Sequence, residues 1–209
     1  MKILELFAGS RSLGGVAEKH GHEVFSVDWT AYEKINLVCD ISTMKKEDVP
    51  FIPDMIWASP DCTTYSISAI SHHRNGTEPK SEYARECDQT NQYFINLIKE
   101  YVEINHNLVF FIENPRGMLR KMPFMQEFTR HTIWYCQYGD DRAKPTDIWT
   151  NSKTWIPRPV CRNGNTKCHH QKAPRGSKTG TQGRSGSYNR SKIPQQLCEE
   201  ILLDKKENI

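Results

Sequence analysis

The 209-residue chain holds 28 basic and 25 acidic residues and is 37% hydrophobic and 10% aromatic, with a mean hydropathy of −0.69. That is one ordinary domain with enough apolar residues to close a core, which excludes a disordered or fibrous protein. No apolar run approaches the roughly 18 residues of a membrane span, Glu5 interrupts the stretch where a secretion signal needs unbroken apolar residues, and the seven scattered cysteines point to reduced thiols in a cytosol.

Taken in chain order, Lys2 to Phe7 alternates as a strand and turns at Ala8-Gly9-Ser10. Leu13 to His20 reads as a short helix stopped by Gly21, and Glu23 to Asp28 as a second strand ending in an acid. Met55 to Ala58 and Leu108 to Ile112 are continuous apolar runs, which suit parallel strands buried on both faces. Between them, Tyr83 to Ile104 carries Phe94, Leu97, Ile98, Tyr101 and Val102 at helical spacing. Ile133 to Tyr138 and Thr146 to Thr150 are further strands, and a helix is expected to begin near Met118. His72 to Gly76 reads as a mobile lid or a solvated loop. Pro194 to Leu203 closes as a helix. Strands alternating with helices predict an α/β fold with a mostly parallel, doubly wound sheet.

Charge is unevenly distributed. From Ile148 to Cys198 there is no acid and there are ten Lys and Arg residues, so a total of +3 becomes −7 on the rest of the chain. A basic segment on an acidic body suits a polyanion gripped on one side, or equally a solvated tail. Residues 158–190 are rich in Gly, Ser, Thr, Asn, Lys and Arg and nearly free of aliphatics. Such a segment is a loop, or a small unit held by something other than a hydrophobic core.

In a doubly wound sheet, ligands lie at the carboxyl ends of the strands. Gly9, Asp28, Asp61-Cys62 and Glu113-Asn114-Pro115 each follow an apolar run immediately. The turn Phe7-Ala8-Gly9-Ser10, with Asp28 nineteen residues after Gly9, has a nucleoside-cofactor layout without the three glycines that cradle a pyrophosphate. Trp29 can cover an adenine ring and Asp40 can accept from its amino group, and either can equally be a surface residue. Cys62 follows a proline turn at a strand end, which presents a thiol instead of packing it away. Glu113 follows four apolar residues, so its carboxyl must be protonated or hydrogen-bonded. A nucleophilic thiol beside a carboxyl that can protonate a ring nitrogen is a pairing for attack on a heterocycle. The plainer alternative is that Glu113 caps the next helix.

In this order the segments resemble the DNA cytosine-5 methyltransferase family over nearly the whole chain. Leu4-Glu5-Leu6-Phe7-Ala8-Gly9 resembles its S-adenosylmethionine motif, Val27-Asp28-Trp29 its ribose-binding acid, and Asp40-Ile41 its adenine-contacting position. Ser59-Pro60-Asp61-Cys62-Thr63-Thr64-Tyr65-Ser66 is similar to the Pro-Pro-Cys catalytic loop, and Glu113-Asn114-Pro115 to the Glu-Asn-Val motif. Tyr138-Gly139 through Lys144 resembles the Tyr-Gly segment that clamps the base, and Arg190 to Leu197 the closing motif. The short variants look like those of phage-encoded members.

The resemblance implies a Rossmann-like S-adenosylmethionine-dependent methyltransferase: a core over 1–150, a short basic DNA-contacting insert over 151–189, and a returning helix over 190–209. It implies Cys62 as nucleophile, Glu113 as proton donor, and Arg142 or Lys144 orienting a cytosine flipped out of double-stranded DNA. Phe7, Ala8, Gly9, Ser10, Asp28, Trp29, Asp40, Ile41, Ser59 and Pro60 would hold the cofactor. A monomer in the host-cell cytosol, away from membranes, is expected. The chain departs from the pattern at Asp61, which stands where a second Pro is usual, at Thr63 in place of Gln, and at Arg142, Lys144 and Thr146 in place of Gln, Arg and Arg. Three other readings stay open: a methyltransferase for exocyclic amino groups, a DNA-binding member without catalysis, and an enzyme for RNA or nucleotides. Cys161, Cys168, His169 and His170 lack the usual two-to-four-residue spacing of zinc ligands, and no metal is expected from them.

Overall fold

A computed structural model describes residues 1–173 and 186–206. Its centre is a seven-stranded sheet built from β1 (Lys2–Leu6), β2 (Glu23–Asp28), β3 (Leu37–Val38), β4 (Met55–Ala58), β7 (Val109–Pro115), β8 (Thr129–Trp134) and β9 (Pro145–Thr150). The order is β3-β2-β1-β4-β7-β9-β8, and every strand runs parallel except β9, which is antiparallel to both its neighbours. β5 (Arg74–Asn75) and β6 (Glu78–Pro79) form a separate small hairpin.

The apolar strands bury both faces, and the period of two sorts their residues between two cores. Leu4, Leu6, Ile56, Ala58, Phe110, Ile112 and Trp149 pack with α3 (Glu82–Ile104). Ile3, Met55, Trp57, Phe111 and Ile148 pack on the other side with α1 (Ser12–Lys19) and α5 (Gln195–Lys206), the latter preceded by the short α4 (Ser187–Ser191). The strongly periodic α3 begins where Ser81 accepts a hydrogen bond from the Ala84 amide at its N-terminus. This is the α/β, Rossmann-like layering expected from the sequence.

Three local expectations need correction. The strand expected over Ile133–Tyr138 is displaced: β8 ends at Trp134, and Tyr135–Tyr138 wind into a 3-10 turn that ends at Gly139, whose φ of 85° is left-handed. Burial of both Tyr135 and Tyr138, on opposite ends of that turn, requires the winding. The helix expected near Met118 is a single 3-10 turn, Met118–Lys121. Residues 72–76 are not an irregular loop: His72 and His73 end the short α2 (Ile70–His73), Arg74 and Asn75 form β5, and the Arg74 side chain is buried.

Candidate active site

The switch point of the sheet lies between β1 and β4, where the chain stops building outward in one direction and starts in the other. Leu6 pairs with Val27 on one side and with Ala58 on the other, and Ala58 pairs with Ile112. This register brings Phe7, Asp28, Ser59 and Glu113 to one edge.

The turn after β1 is unusually contorted, with positive φ at Phe7 (55°), Gly9 (49°) and Arg11 (51°). The Asp28 carboxylate accepts from the Gly9 amide at 2.8 Å and from the Thr30 amide at 2.9 Å, and the Ala8 amide donates to the Val27 carbonyl at 3.1 Å. Behind the turn, buried Glu5 accepts from the Gly14 amide and from Ser26, and Arg11 bridges Ser26 to Glu18. Burial pushes the Glu5 carboxyl above its usual range. A side chain at residue 14 would run into Glu5, so glycine is needed there. The Phe7 ring meets Phe94 of α3 edge-on at 5.3 Å. Trp29 is 71% exposed, Asp40 is exposed and caps the 3-10 turn Ile41–Thr43 through Ser42, and Ile41 is core. Ser59 and Pro60 follow β4, with Ser59 Oγ accepting from the Trp57 indole at 2.8 Å.

Cys62 opens the 3-10 turn Thr63–Tyr65. Burial pushes its thiol up to about 11, with the Asp61 and Glu113 carboxylates adding to the rise and Lys144 opposing it. Asp61 is held by the Thr63 amide and hydroxyl and by the Tyr83 hydroxyl. The loop and β7 are tied directly: Asn114 Nδ2 donates to the Pro60 carbonyl at 2.8 Å. Gly117 passes so close to the Tyr65 carbonyl that any side chain would collide with it. Glu113 is buried, and its Oε1 accepts from the Tyr135 hydroxyl at 2.7 Å.

The cations differ in role. Arg142 is wholly buried and forks onto Asp140 at 2.8 and 2.6 Å, with its remaining donors turned to the carbonyls of Arg190 and Lys192. Its guanidinium therefore braces the closing segment. Lys144 is the cation whose charge acts on both Cys62 and Glu113; its Nζ lies 4.5 Å from the Tyr135 ring centre. Burial lowers its pKa against those two partners. Lys144 sits at a φ of 22°, a conformation side chains rarely adopt. Thr146 is buried inside β9 opposite Pro115.

Sequence reasoning missed the clamp behind the cysteine loop. Asp88 of α3 accepts from the Tyr65 hydroxyl at 2.6 Å and from two nitrogens of Arg74, at 2.6 and 3.0 Å. Arg74 also donates to the Thr64 carbonyl, and Asn91 to the Tyr65 hydroxyl. The one available signal was a lone Asp on the apolar stripe of α3. Of the expected insert 151–189, residues 174–185 lie outside the described ones, as do 207–209 of the returning segment. The closing motif does return to the first turn, with the Ile193 amide donating to Ser12 Oγ at 3.1 Å.

The chain is 24% identical, over 97% of its length and 99% of the relative's, to a Frog virus 3 protein named "Probable DNA (cytosine-5)-methyltransferase". By this likeness the chain resembles the DNA cytosine-5 methyltransferases. Two solved structures share its fold. An Entamoeba histolytica methyltransferase, EhMeth, matches at a TM-score of 0.54 and 12% identity over 83% of this chain. A protein encoded within an Escherichia coli prophage, described as a DNA modification methyltransferase, matches at 0.51 and 15% over 78%. The matches cover 57% and 52% of those chains, so the present chain spans about half of each. No protein-family model matches the chain. Among the described residues, no helix is long and apolar enough to cross a membrane.

Proposed function

We propose that the protein transfers a methyl group from S-adenosylmethionine to C5 of cytosine in double-stranded DNA. The observation that carries this reading is the joining of three segments that bear Cys62, Glu113 and Lys144: Asn114, beside Glu113, bonds the Pro60 carbonyl of the cysteine loop, Tyr135 bonds Glu113, and Lys144 Nζ lies 4.5 Å from the centre of the Tyr135 ring.

The donor side fits the residues present. A side chain at Gly9 would meet only the Phe7 carbonyl, at 4.0 Å, Asp28 retains acceptor capacity for sugar hydroxyls, and exposed Trp29 and Asp40 stand at the neighbouring strand ends. The Phe7 to Ser10 turn, Asp28, Trp29, Asp40, Ile41, Ser59 and Pro60 would hold S-adenosylmethionine, whose sulfonium supplies an electrophilic methyl group. On the substrate side, the Cys62 thiolate adds to C6 of a base flipped out of the stack. The electron pair displaced from the C5–C6 bond is held as Glu113 gives a proton to N3, and Tyr135 holds the Glu113 carboxyl in place. Lys144 favours the thiolate and faces the developing charge. After C5 takes the methyl group, solvent removes its proton. The C6–S bond then breaks as N3 returns its proton to Glu113, restoring the thiolate, the acid and the aromatic ring. Lys144, rather than Arg142, is the orienting cation in this scheme.

The exposed cations Arg162, Lys167 and Lys172 belong to the basic insert and would bind the DNA backbone, not read bases. Asp61 supports a slow enzyme, since its charge opposes thiolate formation. The deciding experiment is covalent trapping on duplex DNA containing 5-fluorocytosine with S-adenosylmethionine. The fluorine cannot leave as a proton does, so a DNA-sized mass should stay attached to the protein and be lost in Cys62→Ser. Salt-sensitive DNA binding with no adduct in any sequence context would instead favour a binding protein or an amino-group methyltransferase.

A further inference from the structure

We propose that Cys136, Cys161, Cys168 and His170 bind a structural zinc ion. The four residues come from two segments: Cys136 from the 3-10 turn Tyr135–Tyr138, and the others from the loop that follows β9. One ligand atom of each lies within 4.8 Å of all the rest, and Cys161 Sγ is 3.8 Å from His170 Nδ1. Zinc–sulfur bonds of about 2.3 Å in a tetrahedron put sulfurs roughly 3.8 Å apart, so only a small contraction closes the site. Three soft thiolates and one imidazole select zinc over calcium or magnesium, and four protein ligands leave no open position for catalysis.

Irregular sequence spacing hides the site, because the fourth ligand lies 25 residues before Cys161 and is brought in by the fold. The surroundings suit thiolates. Gln137 Nε2 donates to both Cys136 Sγ and Cys168 Sγ at 3.8 Å, and Asn165 Nδ2 donates to Cys161 Sγ at 3.5 Å, as outer-shell partners of bound thiolates do. Three thiolates with one zinc leave a single negative charge in the most basic part of the chain. Ligation at Nδ1 puts the ring proton on His170 Nε2, and the Gly164 amide now pointing at Nε2 from 3.2 Å would move off it. His169 lies outside the cluster, its Nε2 3.0 Å from the Asp140 carbonyl.

The placement gives the metal a task. Among the described residues, only Ala143 and Trp134 join the thiols in this small cluster, which is too little apolar surface to hold a loop. The loop nonetheless docks beside the base-facing wall: the Gln171 amide donates to the Asp141 carbonyl at 2.8 Å, and Gln171 pairs with Arg142 as an isolated bridge. Zinc would therefore fix the basic insert to the turn that carries Asp140, Arg142 and Lys144.

The test reads metal, not methyl transfer, so it stands apart from the catalytic assignment. The full chain, purified under reducing conditions without chelator, should contain close to one zinc per molecule by mass spectrometry of the elements. Cys161→Ala and Cys168→Ala should lose it, while Cys39→Ala keeps it. Should those variants fail to fold, cobalt added to chelator-stripped wild-type protein should give the intense visible bands of a tetrahedral site with a thiolate charge-transfer band. Cys168→His should retain cobalt with a weaker charge-transfer band. Wild-type protein that contains no zinc and gives no such spectrum, or that joins two of these thiols as a disulfide, overturns the proposal.

Discussion

At the scale of single residues, the site sets an ionisable nucleophile against an unfavourable neighbour. Cys62 is pushed up to about 11 by burial and by Asp61, with Lys144 the compensating cation. Its alkylation rate, followed site by site by mass spectrometry, should therefore climb with pH well beyond neutrality. Asp61→Asn should move that profile to lower pH by about one unit, and Lys144→Gln should move it higher by a similar amount. An unchanged profile in both variants would separate these charges from the thiol. Glu113→Gln should cut methyl transfer roughly a hundredfold or more while leaving DNA affinity near the native value. The buried clamp behind the loop gives a stability prediction. Removing the carboxylate in Asp88→Ala strands the Arg74 charge, which is 4% exposed, and should cost about 3–5 kcal/mol in urea unfolding. Asp28, Cys62 and Glu113 were legible because each is a polar residue at the end of an apolar run. Arg74, Tyr65 and Asp88 were not, because the three lie up to 23 residues from one another in the chain and only packing joins them.

At the scale of elements, periodicity carried most of the information. The runs Met55–Ala58 and Glu23–Asp28 are strands as expected, and α3 begins one residue before the expected Tyr83. Burial on both sheet faces explains why continuous apolar runs suffice to mark them. β8 failed to show because most of it, Thr129 to Thr132, is polar and partly exposed at the sheet edge, so no alternation marks it. The pairing of β8 with β9 is set by register across the sheet. α3 also supports the cofactor turn from behind through Phe94. Phe94→Ala should destabilise the fold by about 3–5 kcal/mol, and under conditions where it remains folded it should weaken S-adenosylmethionine binding in calorimetry, because Phe7 loses its packing partner. Native affinity in that variant would detach the turn from the helix.

For the whole molecule, charge is the main lever. An acidic body with ten cations gathered between Ile148 and Cys198 should bind DNA with a steep dependence on salt. Replacing Arg162, Lys167 and Lys172 by Gln should flatten the plot of log affinity against log salt by about 0.9 for each phosphate left without its cation, equally on all sequences. A slope that does not move would place the DNA path elsewhere on the surface.

The sequence by itself determined the class of sheet, the polar residues set at its strand ends, and an order of segments that resembles the cytosine-5 methyltransferases. Those follow from local rules, since strand and helix periods and the polarity of a strand's last residue are written in neighbouring positions. Only the tertiary structure separated the two neighbouring cations: Arg142 and Lys144 are two residues apart, yet one is forked onto Asp140 and the other lies over the Tyr135 ring, near Cys62. It likewise brought Cys136 to Cys161, Cys168 and His170. Both are choices among partners distant along the chain, and the packing of the whole fold makes them.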